Sequence, residues 1–156
     1  MDVLVSQRER WRQEGKVVVW TNGCFDVLHV GHLHSLEAAR RLGHVLVVGL
    51  NDDASVCALK GSGRPFVPAA ERATLIAALE VVTRAVIFSG LTPERPLARL
   101  QPDIHCKGAD YAPPRGLPIP EMATVEGYGG RVEFLPLVPE RSTSSLMGRV
   151  RASLSP

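Results

Sequence analysis

Apolar residues in this chain fall into short β-branched runs separated by amphipathic stretches. The runs at 16–22 (KVVVWTN), 44–51 (HVLVVGLN), 81–89 (VVTRAVIFS), 103–108 (DIHCKG) and 131–137 (RVEFLPL) predict buried strands. Between them, residues 31–43 place Leu33, Leu36, Ala39 and Leu42 on a roughly helical period and stop at Gly43, and residues 69–80 present one apolar face. Further helices are expected at 5–14, over 121–130, from near Ser142 onward, and after Thr92, with Thr92 as N-cap and Pro93 as the first helical residue. Residues 60–68 (KGSGRPFVP) and 111–120 (YAPPRGLPIP) carry the glycines and prolines of loops, the second a surface loop or lid.

Apolar strands alternating with helices imply an α/β fold, a parallel sheet with helices on both faces. Ligands then belong at the carboxyl ends of the strands, near the switch in strand order. The expected organisation is a polar, helical segment over 1–14 followed by one domain over 15–156, a length that fits a single core.

Composition narrows the function classes. The formal net charge of +2 is too small to point to a nucleic-acid partner. No stretch is apolar and long enough to span a membrane, and the start MDVLVSQRERWRQEG lacks a signal-like apolar run, so a cytoplasmic protein without membrane partners is expected. Three cysteines without CxxC spacing argue against both a disulfide framework and cysteine-held metal. Cys57 and Cys106 read as buried apolar residues.

The candidate chemistry sits in TNGCFDVLHVGHLHSL, residues 21–36, where the first strand runs into the first long helix. Gly23 permits a turn that aims backbone N–H groups at an anion. His29 precedes the helix and His32 lies in its first turn, where free N–H groups and the dipole favour phosphate. Gly31 between them leaves room for that phosphate. The string is neither GxGxxG nor GxxxxGK[ST], and it is not HExxH, so no protein-held zinc is expected.

HxGH after TNGCFD resembles the nucleotidyltransferase superfamily of cytidylyltransferases and pantetheine-phosphate adenylyltransferases, with its Rossmann-like fold. The stretches LKGSGRPFVPAAERATLIAALEVV, PDIHCKGADY and GGRVEFLPLVPERSTSSL extend the likeness over roughly residues 15–150, toward the adenylyltransferases of ADP-heptose synthesis. The resemblance implies attack of a sugar 1-phosphate on the α-phosphorus of ATP, with Mg²⁺ carried mainly on the ATP phosphates and no protein side chains assigned to metal. It implies catalytic roles for His29, His32, Lys60 and Arg72. ATP and phosphate contacts fall to Thr21, Asn22, Gly23, Cys24, Phe25, Gly31, Thr143 and Ser144, and acceptor contacts to Lys107 and Asp110. Asp26 is expected to be a structural counter-charge, and a homodimer is expected from the size of relatives.

Val67, Ala58 and the proline-rich loop depart from the pattern of those relatives, and each bears on acceptor choice. Cytidylyltransferases acting on glycerol 3-phosphate or phosphoethanolamine share the HxGH core and remain the main alternative. A non-catalytic nucleotide-binding protein is the second. A class I aminoacyl-tRNA synthetase is disfavoured by the short chain and the lack of a KMSKS-like loop. A dehydrogenase has the right sheet but another glycine loop.

Overall fold

The computed structural model describes residues 1–114, 116–136 and 143–154, and only the backbone of residues 144, 145, 151 and 154. Five parallel strands form one sheet: β1 (Val18–Gly23), β2 (Val45–Asn51), β3 (Arg84–Phe88), β4 (Ile104–Gly108) and β5 (Arg131–Leu135). Their spatial order is β3-β2-β1-β4-β5, a Rossmann-like arrangement. Val19 of β1 lies opposite Leu46 of β2 on one side and Ile104 of β4 on the other. The helices are α1 (Asp2–Gln13), α2 (Val30–Arg40), α3 (Asp53–Lys60), α4 (Ala69–Ala77), α5 (Glu94–Leu100), α6 (Met122–Gly127) and α7 (Thr143–Leu154).

The central strands are buried on both faces, and the period-two alternation of a strand sorts their side chains into two cores. Val19, Leu46, Val48 and Ile104 pack with Leu36 and Ala39 of α2 and Ile76 of α4. Val18, Trp20, Val45 and Val47 pack on the opposite face with Leu4 of α1, Leu97 and Leu100 of α5, and Val125 of α6. Helix α1 begins at Asp2, ahead of the helix expected at 5–14, and it is fastened to the sheet. Arg8 donates to Asp103 at 2.8 Å and to the Gln101 carbonyl at 3.1 Å, while the other Asp103 oxygen accepts from the Val18 N–H at 2.7 Å.

Helix α3 is absent from the sequence expectation, and Lys60 is its last residue rather than part of the following loop. The signal is local: the Asp52 side chain accepts from the Ser55 N–H at 2.8 Å and caps the helix. At the other end Gly61, with φ of +96°, releases the chain into the loop. Helix α5 starts at Glu94 with Pro93 as N-cap, one residue later than its Thr-Pro signal predicts. Cys106 is buried as expected, whereas Cys57 is exposed on α3 because that residue falls on the outer face of a helix not anticipated. The strand expected over 131–137 ends at Leu135, and its last position, 137, lies outside the described residues, as does Ser142. No helix among the described residues is long and apolar enough to cross a membrane.

Gly49 in the middle of β2 makes room for the Trp20 indole of β1. A Cβ there would stand 2.3 Å from Trp20 Cζ2. Gly49→Ala therefore lowers the unfolding free energy by about 1–3 kcal/mol, the usual cost of overpacking a core. Gly127→Ala is the control, because nothing lies within 4 Å of its added methyl. Urea unfolding separates the two: the midpoint drops for the first variant and holds or rises for the second.

Candidate active site

The strand order switches direction at β1, which lies between β2 and β4. Loops leaving the carboxyl ends of these strands diverge there and leave a crevice. It is an open cleft of about 820 Å³. Its floor is the β1 terminus and the following turn, Thr21 to Asp26. One wall comes from Asn51, Leu59, Lys60, Arg64, Leu91, Thr92 and Pro93; the other from Lys107, Gly108, Tyr111, Pro118, Pro120, Glu121 and Thr143.

The turn after β1 is built differently from the sequence expectation. Phe25, not Gly23, takes the left-handed backbone, with φ of +48°. A Cβ at Gly23 would lie 3.2 Å from the Phe25 ring, a close contact to which the ring would have to yield. This turn brings the start of α2 to the cleft floor. His29 is the N-cap in extended conformation and makes no side-chain cap bond, and the first turn holds no acidic residue. The His32 N–H bonds the His29 carbonyl at 2.9 Å, which leaves the N–H groups of Val30 and Gly31 for an anion.

His29 and His32 stack with ring centroids 3.8 Å apart and planes 20° from parallel, and Phe25 closes against His32 at 5.2 Å. Both Nδ1 atoms are buried without a partner. Burial lowers both pKa values below the usual histidine range; for His32 the adjacent His29 adds to the effect and takes it to about 4. Near neutral pH the pair is uncharged, two polar rings able to donate to oxygens without bringing cations of their own. Cys24 lies in the same turn, and burial raises its pKa, so it is poorly suited to act as a thiolate nucleophile.

Most cations around the cleft are already matched. Asp26, almost wholly buried, accepts from Arg64 Nε, from the Phe66 N–H at 2.6 Å and from the Val67 N–H at 3.1 Å. It is the structural counter-charge its position suggested. Arg72 is buried behind the floor and does not line the cleft. Its guanidinium donates to the Val67, Cys24 and Asn51 carbonyls at 2.8, 2.5 and 3.0 Å and to Asp53 at 2.7 Å. Lys107 donates to Glu121 at 2.9 Å and lies 4.2 Å from the Tyr111 ring centroid. Among the described residues, Lys60 is the cleft cation with no carboxylate partner.

The geometry brings Thr21, Asn22, Gly23, Cys24, Phe25, His29, Gly31, His32, Lys60, Lys107 and Thr143 to one cleft. Ser144 follows in α7, with its side chain outside the described residues. Asp110 is exposed on a single turn of 3-10 helix, Ala109–Tyr111, and does not reach the cleft lining. The carboxylate beside Lys107 is Glu121, which the sequence reading passed over. Asn51, Leu91, Thr92 and Pro93 were also missed, although all four lie at or just beyond the carboxyl ends of β2 and β3, where the switch-point rule looks for ligands. Among the described residues no group of three or more His, Cys, Asp or Glu side chains is placed to hold a metal ion.

A family model described as cytidylyltransferase-like matches residues 20–147. The bifunctional protein HldE of Syntrophotalea carbinolica is 48% identical over 149 residues, 96% of this chain and 29% of that protein. The protein of the same name from Methylobacillus flagellatus is 42% identical over 150 residues, covering 96% of this chain and 30% of that one. The chain therefore spans less than a third of the length of these relatives. The crystal structure of the lipopolysaccharide core biosynthesis protein from Thermoplasma volcanium superposes with a TM-score of 0.63 at 27% identity, over 80% of this chain and 98% of that one. A helix N-terminus, paired imidazoles and a lysine thus meet at the switch point of the sheet. The chain belongs to the cytidylyltransferase-like family.

The histidine environment fixes a pH dependence. His32 titrates near 4 in the folded protein and near the usual 6.5 when unfolded, so the unfolded chain binds more protons between those values. Stability is full above that window and is lost as pH falls through it; His29 shifts in the same direction. In His32→Asn the urea midpoint should fall less than in wild type from about pH 7 to about pH 5. Equal falls in the two proteins would show that His32 is not held neutral.

Proposed function

We propose that the cleft binds ATP and a sugar 1-phosphate and joins them into an ADP-sugar with release of pyrophosphate. The acceptor is D-glycero-β-D-manno-heptose 1-phosphate. The observation that carries the reading is the stacked, neutral His29–His32 pair over the uncapped N-terminus of α2, facing a cleft whose Lys60 has no carboxylate partner among the described residues. Support for the substrate comes from the likeness to ADP-heptose adenylyltransferases along nearly the whole chain, together with the 48% identity to an HldE protein.

An acceptor phosphate oxygen attacks the α-phosphorus in line, the bond to the bridging oxygen breaks, and pyrophosphate departs. A phosphate monoester is nucleophilic enough to need no strong base, so the protein's work is alignment and charge stabilisation. His29 and His32 donate to phosphoryl oxygens, with the N–H groups of α2 beneath them. Lys60, on the last turn of α3, follows the charge as it moves to the leaving group. Lys107 and Thr143 serve the opposite wall, Lys107 toward the acceptor. Arg72 contributes by holding the floor in place.

Mg²⁺ would be held on the phosphate oxygens of ATP, hard donors that suit it. Bound there, Mg²⁺ would neutralise charge on the polyphosphate.

The deciding experiment crosses ATP, CTP, GTP, UTP and dTTP with heptose 1-phosphate, hexose 1-phosphates, glycerol 3-phosphate and phosphoethanolamine, reading pyrophosphate release and product mass. ADP-heptose should dominate, and His29→Ala and His32→Ala should each lower turnover by about 10²- to 10³-fold. CDP-glycerol as the main product would overturn the substrate assignment. Turnover unchanged in both histidine variants would overturn the mechanism.

A further inference from the structure

Glu121 combines three properties that a loop residue seldom has together. It is 1% exposed, it lines the cleft, and it is ionised. Burial alone would push its carboxyl up, yet hydrogen bonds from His105 and Lys107 bring it down to about 2. His105 and Lys107 alternate along β4 and so point to the same face, where both reach one oxygen of Glu121, at 3.0 and 2.9 Å. Glu121 itself follows the proline-rich loop and occupies the N-cap position of α6.

A plain clasp joining loop to sheet would be satisfied by His105, which is fully buried. Lys107 is different, because its ammonium stands at the cleft wall over the Tyr111 ring. A lysine has four rotatable side-chain bonds, and an unheld one samples many positions. Here one carboxylate fixes the ammonium against the aromatic face.

The geometry points to Glu121 as a positioning residue for substrate binding: it sets where Lys107 presents its charge in the cleft. This rests on the reading above in taking Lys107 to touch a substrate. The carboxylate makes no substrate contact of its own in this scheme. Loss of its charge leaves Lys107 in the cleft held at most by a neutral amide oxygen, which weakens ground-state and transition-state binding alike.

The test is a double-mutant cycle of Glu121→Gln and Lys107→Ala, with KM measured for each substrate separately. Glu121→Gln should raise one KM by about tenfold with kcat within about threefold, the pattern of lost uniform binding. The KM affected should be the one that Lys107→Ala raises, and Glu121→Gln should add nothing further in the Lys107→Ala background. If Glu121→Gln does not fold, Glu121→Asp carries the same cycle, since it keeps the charge but shortens the arm. A KM effect that persists in the Lys107→Ala background means Glu121 acts elsewhere and overturns the proposal. If both variants act together on the nucleotide KM, positioning stands and only the acceptor assignment of Lys107 falls.

Discussion

One buried guanidinium holds the working end of this molecule together. Arg72 stands near the start of α4, pointing inward, and its donors meet three carbonyls from separate segments: Cys24 after β1, Asn51 at the end of β2, and Val67 before α4. Its remaining donor pairs with Asp53 in the first turn of α3. The turn that carries Phe25 toward the histidines, the helix that carries Lys60, and the loop that Asp26 grips are thus tied to one side chain. Backbone carbonyls buried in such a place need donors, and no single neutral side chain supplies as many in so fixed a geometry.

The same need for pairing shapes the electrostatics of the cleft. Arg64 is matched by Asp26 and Lys107 by Glu121, while Arg72 is spent on the interior. Under the proposed reading, phosphate recognition falls to a helix N-terminus, two neutral imidazoles and Lys60, while the paired charges position the walls. Such donors are arranged before the ligand arrives and need little reorganisation as charge develops. The arrangement also explains why the stability of the protein and the protonation of the cleft are linked through His32.

Local chemistry was legible in the sequence, and long-range pairing was not. The strands and the junction from β1 into α2 follow from β-branched runs and turn residues, and the HxGH string lies where a sheet of this kind binds ligands. Lys60 was recognised as a residue but assigned to a loop, because the eight-residue α3 is too short to show a convincing period and its Asp52 cap was overlooked. Arg72 was picked out through the resemblance, yet nothing in the sequence says that the carbonyls of Cys24 and Asn51 converge on it together with that of nearby Val67. Asp110 was expected beside Lys107 as a second acceptor contact. The true neighbour, Glu121, is separated from it by a run of prolines whose path only the fold defines. Residue types announce which groups can bind phosphate; which cations are already occupied depends on contacts across tens of residues.

The account depends most on Arg72 acting as a strut and not as a ligand contact, and ligand-free unfolding tests this directly. Removing the guanidinium leaves buried carbonyls without donors. Arg72→Ala should therefore lose about 3 kcal/mol or more of unfolding free energy in urea with no nucleotide present. An Arg72→Ala protein that unfolds at the wild-type midpoint but no longer binds nucleotide would contradict the account.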